Sequence, residues 1–281
     1  TDTNGKNVEV FAGGFRNPYD LAFNREGELM VHDSDMESDM GTSWYRPTRL
    51  YHVTPGAEFG WRSGWSKWPD YFVDSLPGIL DTGRGSPTGA TCYDHFAFPT
   101  RYQGAMFYGD WSEGRILAVT IKRNGASYSA TSEVFLEGHP LNITDLAVGP
   151  GGELYFSTGG RGSNGGIYRV KWKGDVPESV TNLGEGISQA IRQPQLDSAW
   201  ARQKIAAVRS SLGDSWHGQL RGVARSTANP WYYRTRALTL MQLFGPPPDA
   251  DLLDRLSHDE NEIVRGKAVE LMGLFPTEET H

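Results

Sequence analysis

One cysteine, Cys92, occurs in 281 residues. A single thiol excludes an internal disulfide and any metal site made of several cysteines. No CxxCH motif is present, so covalent haem has no attachment point in this chain. Cys92 lies in the strand-like run Ala90-Thr91-Cys92-Tyr93 and reads as a small packed thiol. No apolar run approaches the roughly 20 residues that a membrane-spanning helix needs. The net charge is −7, with no long basic run, which argues against a nucleic-acid partner. No Gly-x-Ser-x-Gly elbow occurs, so serine-hydrolase chemistry has no support. The opening Thr1-Asp2-Thr3-Asn4-Gly5 reads as a hairpin turn rather than a natural start, and a processed or truncated chain is the expectation.

Glycine is plentiful and unevenly spread. Of 34 glycines, 26 lie in residues 1–174 and 8 in residues 175–281, while long helical periodicity appears only in the second part. The expected domains are therefore 1–174 and 175–281.

The first part repeats itself. Asn17-Pro18-Tyr19-Asp20-Leu21-Ala22-Phe23, followed by Gly27-Glu28-Leu29, returns as Asn142-Ile143-Thr144-Asp145-Leu146-Ala147-Val148, followed by Gly152-Glu153-Leu154. A fainter middle copy begins at Ser86-Pro87-Thr88-Gly89 and runs through Met106 to Asp110. Each copy ends in a similar strand, at Leu50 to Val53, Ile116 to Val119 and Ile167 to Val170. Units of about 60 residues, each with three or four short strands, read as β-propeller blades. Three blades fall below the usual count of about four to eight. The expectation is part of a six-bladed propeller, completed by another chain or a self-associated copy. Val8 to Phe11 resembles Glu133 to Leu136, the expected outer strand of the second blade, and is expected to complete a further blade.

The second part repeats with a helical period. Arg234 to Phe244 matches Arg265 to Phe275 at an offset of 31, with a weaker copy at Arg202 to Gly213. Ala237, Leu240, Met241 and Phe244 follow the i, i+3, i+4, i+7 rule for one buried face. Stacked helix pairs of this length read as a HEAT-like α-solenoid.

In a propeller, loops from every blade meet around the axis. The loops expected to share that face hold Arg16, Asn17, Asp33, Asp35, Arg46, Arg84, Asp110, Trp111, Asn142 and Arg161. Such a rim suits a polar, anionic ligand or a bound cation. Asp33, Asp35, Glu37 and Asp39 crowd one loop, and close acids are either neutralised by a cation or Arg, or solvated. A metal at Asp33 and Asp35 is one reading, and an acidic loop paired with Arg is the other. Trp44, Trp61, Trp65 and Trp68 read as the packing of an excursion over the sheets, with a sugar-stacking platform as the alternative.

Gly14-Phe15-Arg16-Asn17-Pro18-Tyr19-Asp20-Leu21-Ala22-Phe23 resembles a segment of the soluble quinoprotein glucose and sorbosone dehydrogenases. The stretches Asp33 to Glu37, Trp44 to Arg49, Gly56 to Gly64 and Ser86 to Ala90 are similar to planctomycete-type membrane-bound dehydrogenase-like proteins, in which HEAT repeats follow the propeller. The resemblance implies a six-bladed propeller that binds pyrroloquinoline quinone and calcium and oxidises a sugar or polyol. It places Arg16 and Asn17 on the quinone-contacting pair and the Asp33–Asp35 loop where calcium is held. It also implies a cytochrome c electron acceptor, a periplasmic or extracytoplasmic location, and a catalytic His outside this chain. The chain departs from the pattern in lacking a Lys near Asp110-Trp111-Ser112 and two Arg near Asn142 and Thr144. Two alternatives stand beside the dehydrogenase: a non-catalytic propeller and HEAT scaffold for proteins or glycans, and a calcium-dependent lactonase-type hydrolase.

Overall fold

The computed structural model describes residues 1, 4–34, 46–63, 66–69 and 71–275. The chain divides into two compact units, Thr1–Asp175 and Val176–His281.

Strands β1 (Ala12–Gly13), β2 (Leu21–Phe23), β3 (Leu29–Asp33), β4 (Thr48–Val53), β5 (Ala57–Glu58), β6 (Trp61–Arg62), β7 (Ser66–Lys67) and β8 (Leu80–Gly83) open the first unit. β2, β3, β4 and β8 form an antiparallel sheet in that order. Its first turn is closed by Asn24, whose side chain accepts the N–H groups of Glu26 and Glu28. A second sheet runs β9 (Pro87–Cys92), β10 (Met106–Asp110), β11 (Arg115–Asn124) and β12 (Ser127–Glu137), again antiparallel. The third comprises β13 (Ile143–Val148), β14 (Leu154–Gly160) and β15 (Ser163–Val170).

Strand alternation decides which sheet each side chain meets. In the second sheet, Met106, Tyr108, Leu117 and Val119 pack with Met30 and Leu50 of the first. Their neighbours Phe107, Ile116 and Ala118 point the other way, against Ile143, Leu146, Val148, Leu154 and Phe156 of the third. Consecutive sheets therefore stack face to face.

The same logic exposes the two outer flanks. Phe23, Cys92 and Val148 occupy one repeat position, and Cys92 and Val148 are buried by the preceding sheet, whereas Phe23 is 48% exposed. Leu50, Ile116 and Ile167 occupy another, and the first two are buried by the following sheet, whereas Ile167 is 81% exposed. Val8 to Phe11 forms no strand, contrary to the reading of its sequence, and Val8 and Val10 are exposed. Only Ala12–Gly13, just beyond, pairs with another strand, in parallel with β5.

The second unit holds α1 (Glu178–Thr181), α2 (Ile187–Arg192), α3 (Ala199–Leu212), α4 (Ser215–Arg225), α5 (Trp231–Phe244), α6 (Ala250–Ser257) and α7 (Glu262–Leu274). Side chains fix several starts: Ser198 caps α3, Asp249 caps α6 and Asn261 caps α7. Ala237, Leu238, Leu240 and Met241 of α5 are fully buried in a core shared with Trp216 and Leu220 of α4, Leu252 and Leu253 of α6, and Val264 and Leu271 of α7.

Candidate functional site

The site starts at the last residue of β3. Asp33 is fully buried, and its carboxylate accepts four hydrogen bonds. Oδ2 takes the Arg16 backbone N–H at 2.9 Å, and Oδ1 takes those of Asn17 at 2.8 Å and Ser34 at 2.9 Å. The Lys67 ammonium, also buried, lies 3.1 Å from Oδ2 and donates to the Ser34 carbonyl at 2.9 Å. Burial pushes the Lys67 pKa below its ordinary value, while the charge of Asp33 holds it up. Arg16 Nη1 reaches Ser34 Oγ at 3.1 Å. The turn carrying Arg16 and Asn17 is thus held to the end of β3 through its own backbone.

Asp110 repeats the device at the end of β10. Its Oδ1 accepts the Ser86 N–H at 2.9 Å, and its Oδ2 accepts from Arg115 Nε at 3.0 Å. Arg115 Nη2 goes on to the carbonyls of Thr82 and Arg84, both at 3.0 Å. A Cβ at Gly85 would lie 2.4 Å from Asp110 Oδ2, so only glycine lets the chain pass this close.

From Asp110 the hydrogen bonds continue into the third sheet. Trp111 Nε1 donates to the Gly159 carbonyl at 2.7 Å, Asn142 Nδ2 donates to the Trp111 carbonyl at 2.9 Å, and Gly159 N–H donates to the Asn142 carbonyl at 3.0 Å. Arg161, held in the left-handed region at φ 49°, sets its guanidinium 5.3 Å from the centre of the Trp111 ring. In three antiparallel sheets, these loops and the Asp33 clamp all lie at the same end of the central strands.

Behind this end sits His32. Its Nε2 is 2.8 Å from Thr82 Oγ1, and its ring meets Tyr108 edge-on at 5.3 Å. Burial lowers its pKa to about 4, against the opposing pull of Asp110 and Asp33. The folded state therefore binds fewer protons than the unfolded chain between about pH 6.5 and pH 4. Stability from this residue is fully present above pH 6.5 and drains away as pH falls to about 4. The loss is on the order of 3 kcal/mol. Urea denaturation of wild type and His32→Gln at pH 7 and pH 4.5 should show a shallower pH dependence in the variant. Parallel curves would contradict this.

The residues singled out from sequence fall as follows. Arg16 is half-buried beside Ser34, and Asn17 is exposed next to it. Trp111 and Arg161 are brought into contact. Arg46 is half-buried, and its Nε is a buried atom with no hydrogen-bond partner among the described residues. Asp33 is buried among donors, while Asp35, Glu37 and Asp39 lie outside the described residues, as do Trp44 and Trp65. Trp68 stacks on Phe72 and carries Arg62 over its ring.

Sequence reasoning missed Lys67 and the matching duty of Asp110. The second was legible as an acid ending the central strand in two repeats, His32-Asp33-Ser34 and Gly109-Asp110-Trp111. The first left no local signal.

As chemistry, the loops at this end carry Arg16, Arg46, Trp111 and Arg161, residue types suited to an anionic ligand. The Asp33 carboxylate itself is saturated by N–H donors and an ammonium, and Asp35, the other residue of the metal reading, lies outside the described residues. No group of three or more His, Cys, Asp or Glu among the described residues could hold a metal ion.

No protein-family model matches the chain, and no curated protein matches it. Among solved structures it is similar to a putative oxidoreductase of glucose dehydrogenase type from Thermus thermophilus, at 19% identity and a TM-score of 0.46, covering 57% of this chain and 47% of that one. A structure described as glucose dehydrogenase gives 21% identity, a TM-score of 0.47, and coverage of 61% and 48%. The PQQ-bound aldose sugar dehydrogenase from Streptomyces coelicolor gives 17% identity, a TM-score of 0.43, and coverage of 58% and 45%. The chain spans under half the length of each of these structures.

Proposed function

We propose that the β unit is three consecutive blades of a sugar or polyol dehydrogenase-like propeller, and that its axial face binds pyrroloquinoline quinone. The observation that carries this reading is the Asp33 clamp. It fixes the backbone of Arg16 and Asn17, the two residues that match the family's quinone-contacting pair, and leaves their side chains at the strand ends.

Arg16, Arg46 and Arg161 would pair with the carboxylates of the quinone, and the Trp111 ring would lie beside its flat face. When bound, the quinone supplies the two-electron oxidant that takes hydride from a sugar carbon bearing a hydroxyl. The hydroxyl proton needs a base. His32 is unsuited to that task, since it is buried and bonded to Thr82. On this reading the base would come from the blades that close the propeller.

Closure is part of the proposal. The exposed Leu21 and Phe23 on one flank and Ile167 on the other occupy positions that a neighbouring sheet buries elsewhere in this chain. Further blades of the same build, from another chain or a second copy, would cover them. The helical unit is read as a HEAT-like solenoid. The dehydrogenase reading brings with it an extracytoplasmic location and a cytochrome c-type electron acceptor.

The test is titration of pyrroloquinoline quinone, followed by equilibrium dialysis, with molecular mass measured by light scattering in the same samples. Saturable binding by a closed assembly, weakened at least tenfold in Arg16→Ala, is the expected result. Sugar-dependent dye reduction should then follow in the loaded sample. A closed assembly that binds no quinone would overturn the reading and leave the non-catalytic binding module. That alternative is favoured by one observation: Asp33, Asp110 and His32, the buried titratable groups behind the face, all have internal partners.

A further inference from the structure

The helical unit carries a second candidate site. Gly218, Arg221, Gly222 and Arg225 recur at i, i+3, i+4 and i+7 and so share one face of α4. With Ser226 and with Arg255 from the last turn of α6, they line a surface trough of about 400 Å³. A Cβ at Gly218 or Gly222 would meet nothing within 4 Å, so the floor is open because these two residues have no side chain.

Three arginines on a chain of net charge −7 form a local reversal of sign. One is already engaged: Arg221 donates to Asp249, whose other oxygen caps α6 through Leu252 N–H at 2.9 Å. Arg225 and Arg255 are exposed and form no ion pair among the described residues, although Asp251 and Asp254 lie on the same helix as Arg255. Like charges lining a trough without a filler are unfavourable alone and favourable around an anion.

We propose that this trough binds an acidic segment of a partner polypeptide. Its carboxylates pair with Arg225 and Arg255, and its backbone lies along the floor left open by Gly218 and Gly222. The Arg221–Asp249 pair shows the same chemistry made internally.

The test uses the full chain and a fluorescein-labelled peptide of alternating Glu and Gly, with fluorescence anisotropy as the readout. Saturable binding is expected at 50 mM salt, weaker at 300 mM, and absent for the matching Gln peptide. Arg225→Glu with Arg255→Glu should weaken it at least tenfold. Gly222→Leu, which fills the floor but keeps every charge, should weaken it as well. Unchanged thermal melts would show that both variants are folded. Equal binding by wild type and the double variant would overturn the proposal, and so would no binding at low salt. Binding of inorganic phosphate without binding of the acidic peptide would overturn it in favour of a small-anion site.

Discussion

Replacing Asp33 by alanine should destabilise the β unit by about 3–5 kcal/mol, the cost of leaving a buried charge without its partner. The substitution strands the Lys67 ammonium inside the protein together with the N–H groups of Arg16, Asn17 and Ser34. Burial already lowers the Lys67 pKa, and removing the opposing carboxylate would lower it further, so the side chain would lose its proton more readily. Lys67→Met should cost less, because the three backbone donors still satisfy the carboxylate. The double variant should cost less than the sum of the two, since neither charge then remains buried alone. Chemical denaturation of the four proteins completes the cycle. A loss below about 1 kcal/mol for Asp33→Ala would mean that the pair does not clamp the turn. If the face binds quinone as proposed, the same variant should weaken that binding even where it remains folded, because the backbone of Arg16 and Asn17 is held through this carboxylate. Asp33 is in that sense a positioning residue.

Arg234→Ala should cost the helical unit a similar amount, about 3–5 kcal/mol. Arg234 is buried, pairs with Asp259 through Nη1 and Nη2, and donates from Nε to the Ala224 carbonyl at 2.9 Å. One side chain therefore ties α5 to the last turn of α4 and to the segment entering α7. Arg234→Lys should recover only part of the loss, because one ammonium cannot reproduce the planar fork. Arg265 occupies the same place in the helical repeat and provides the control. It is half-buried and, among the described residues, donates only to the carbonyls of Asp259 and Glu260, so Arg265→Ala should cost about 0.5–1.5 kcal/mol. The Arg234 hydrogen bonds hold the Asp259 pKa below its ordinary value. A carboxyl with a depressed folded pKa stabilises above its unfolded value and loses that contribution as pH falls below it. The gap between wild type and Arg234→Ala should accordingly narrow below about pH 4. Equal losses for the two arginines would show that burial does not separate them.

The sequence by itself determined the local structure. A two-residue period bounded by glycine and asparagine yields the strands of the first unit, and the i, i+3, i+4, i+7 pattern in Ala237, Leu240 and Met241 yields α5 and its buried face. The recurrence of Asn17 to Phe23 at Asn142 to Val148 marks equivalent strands, β2 and β13. Equivalence in sequence did not extend to environment. Ile116 and Ile167 share a repeat position, yet one is sealed between two sheets and the other faces outward, because burial depends on which sheet lies opposite. Asp33 makes the same point for charge. In sequence it belongs to a run of acids, which reads either as a cation site or as a solvated or Arg-paired loop. The fold brings three backbone N–H groups and Lys67, 34 residues away, to its two oxygens. Periodicity is a property of neighbours along the chain, and a few residues carry it. The partner of a buried charge is a neighbour in space, so only the tertiary structure could supply it.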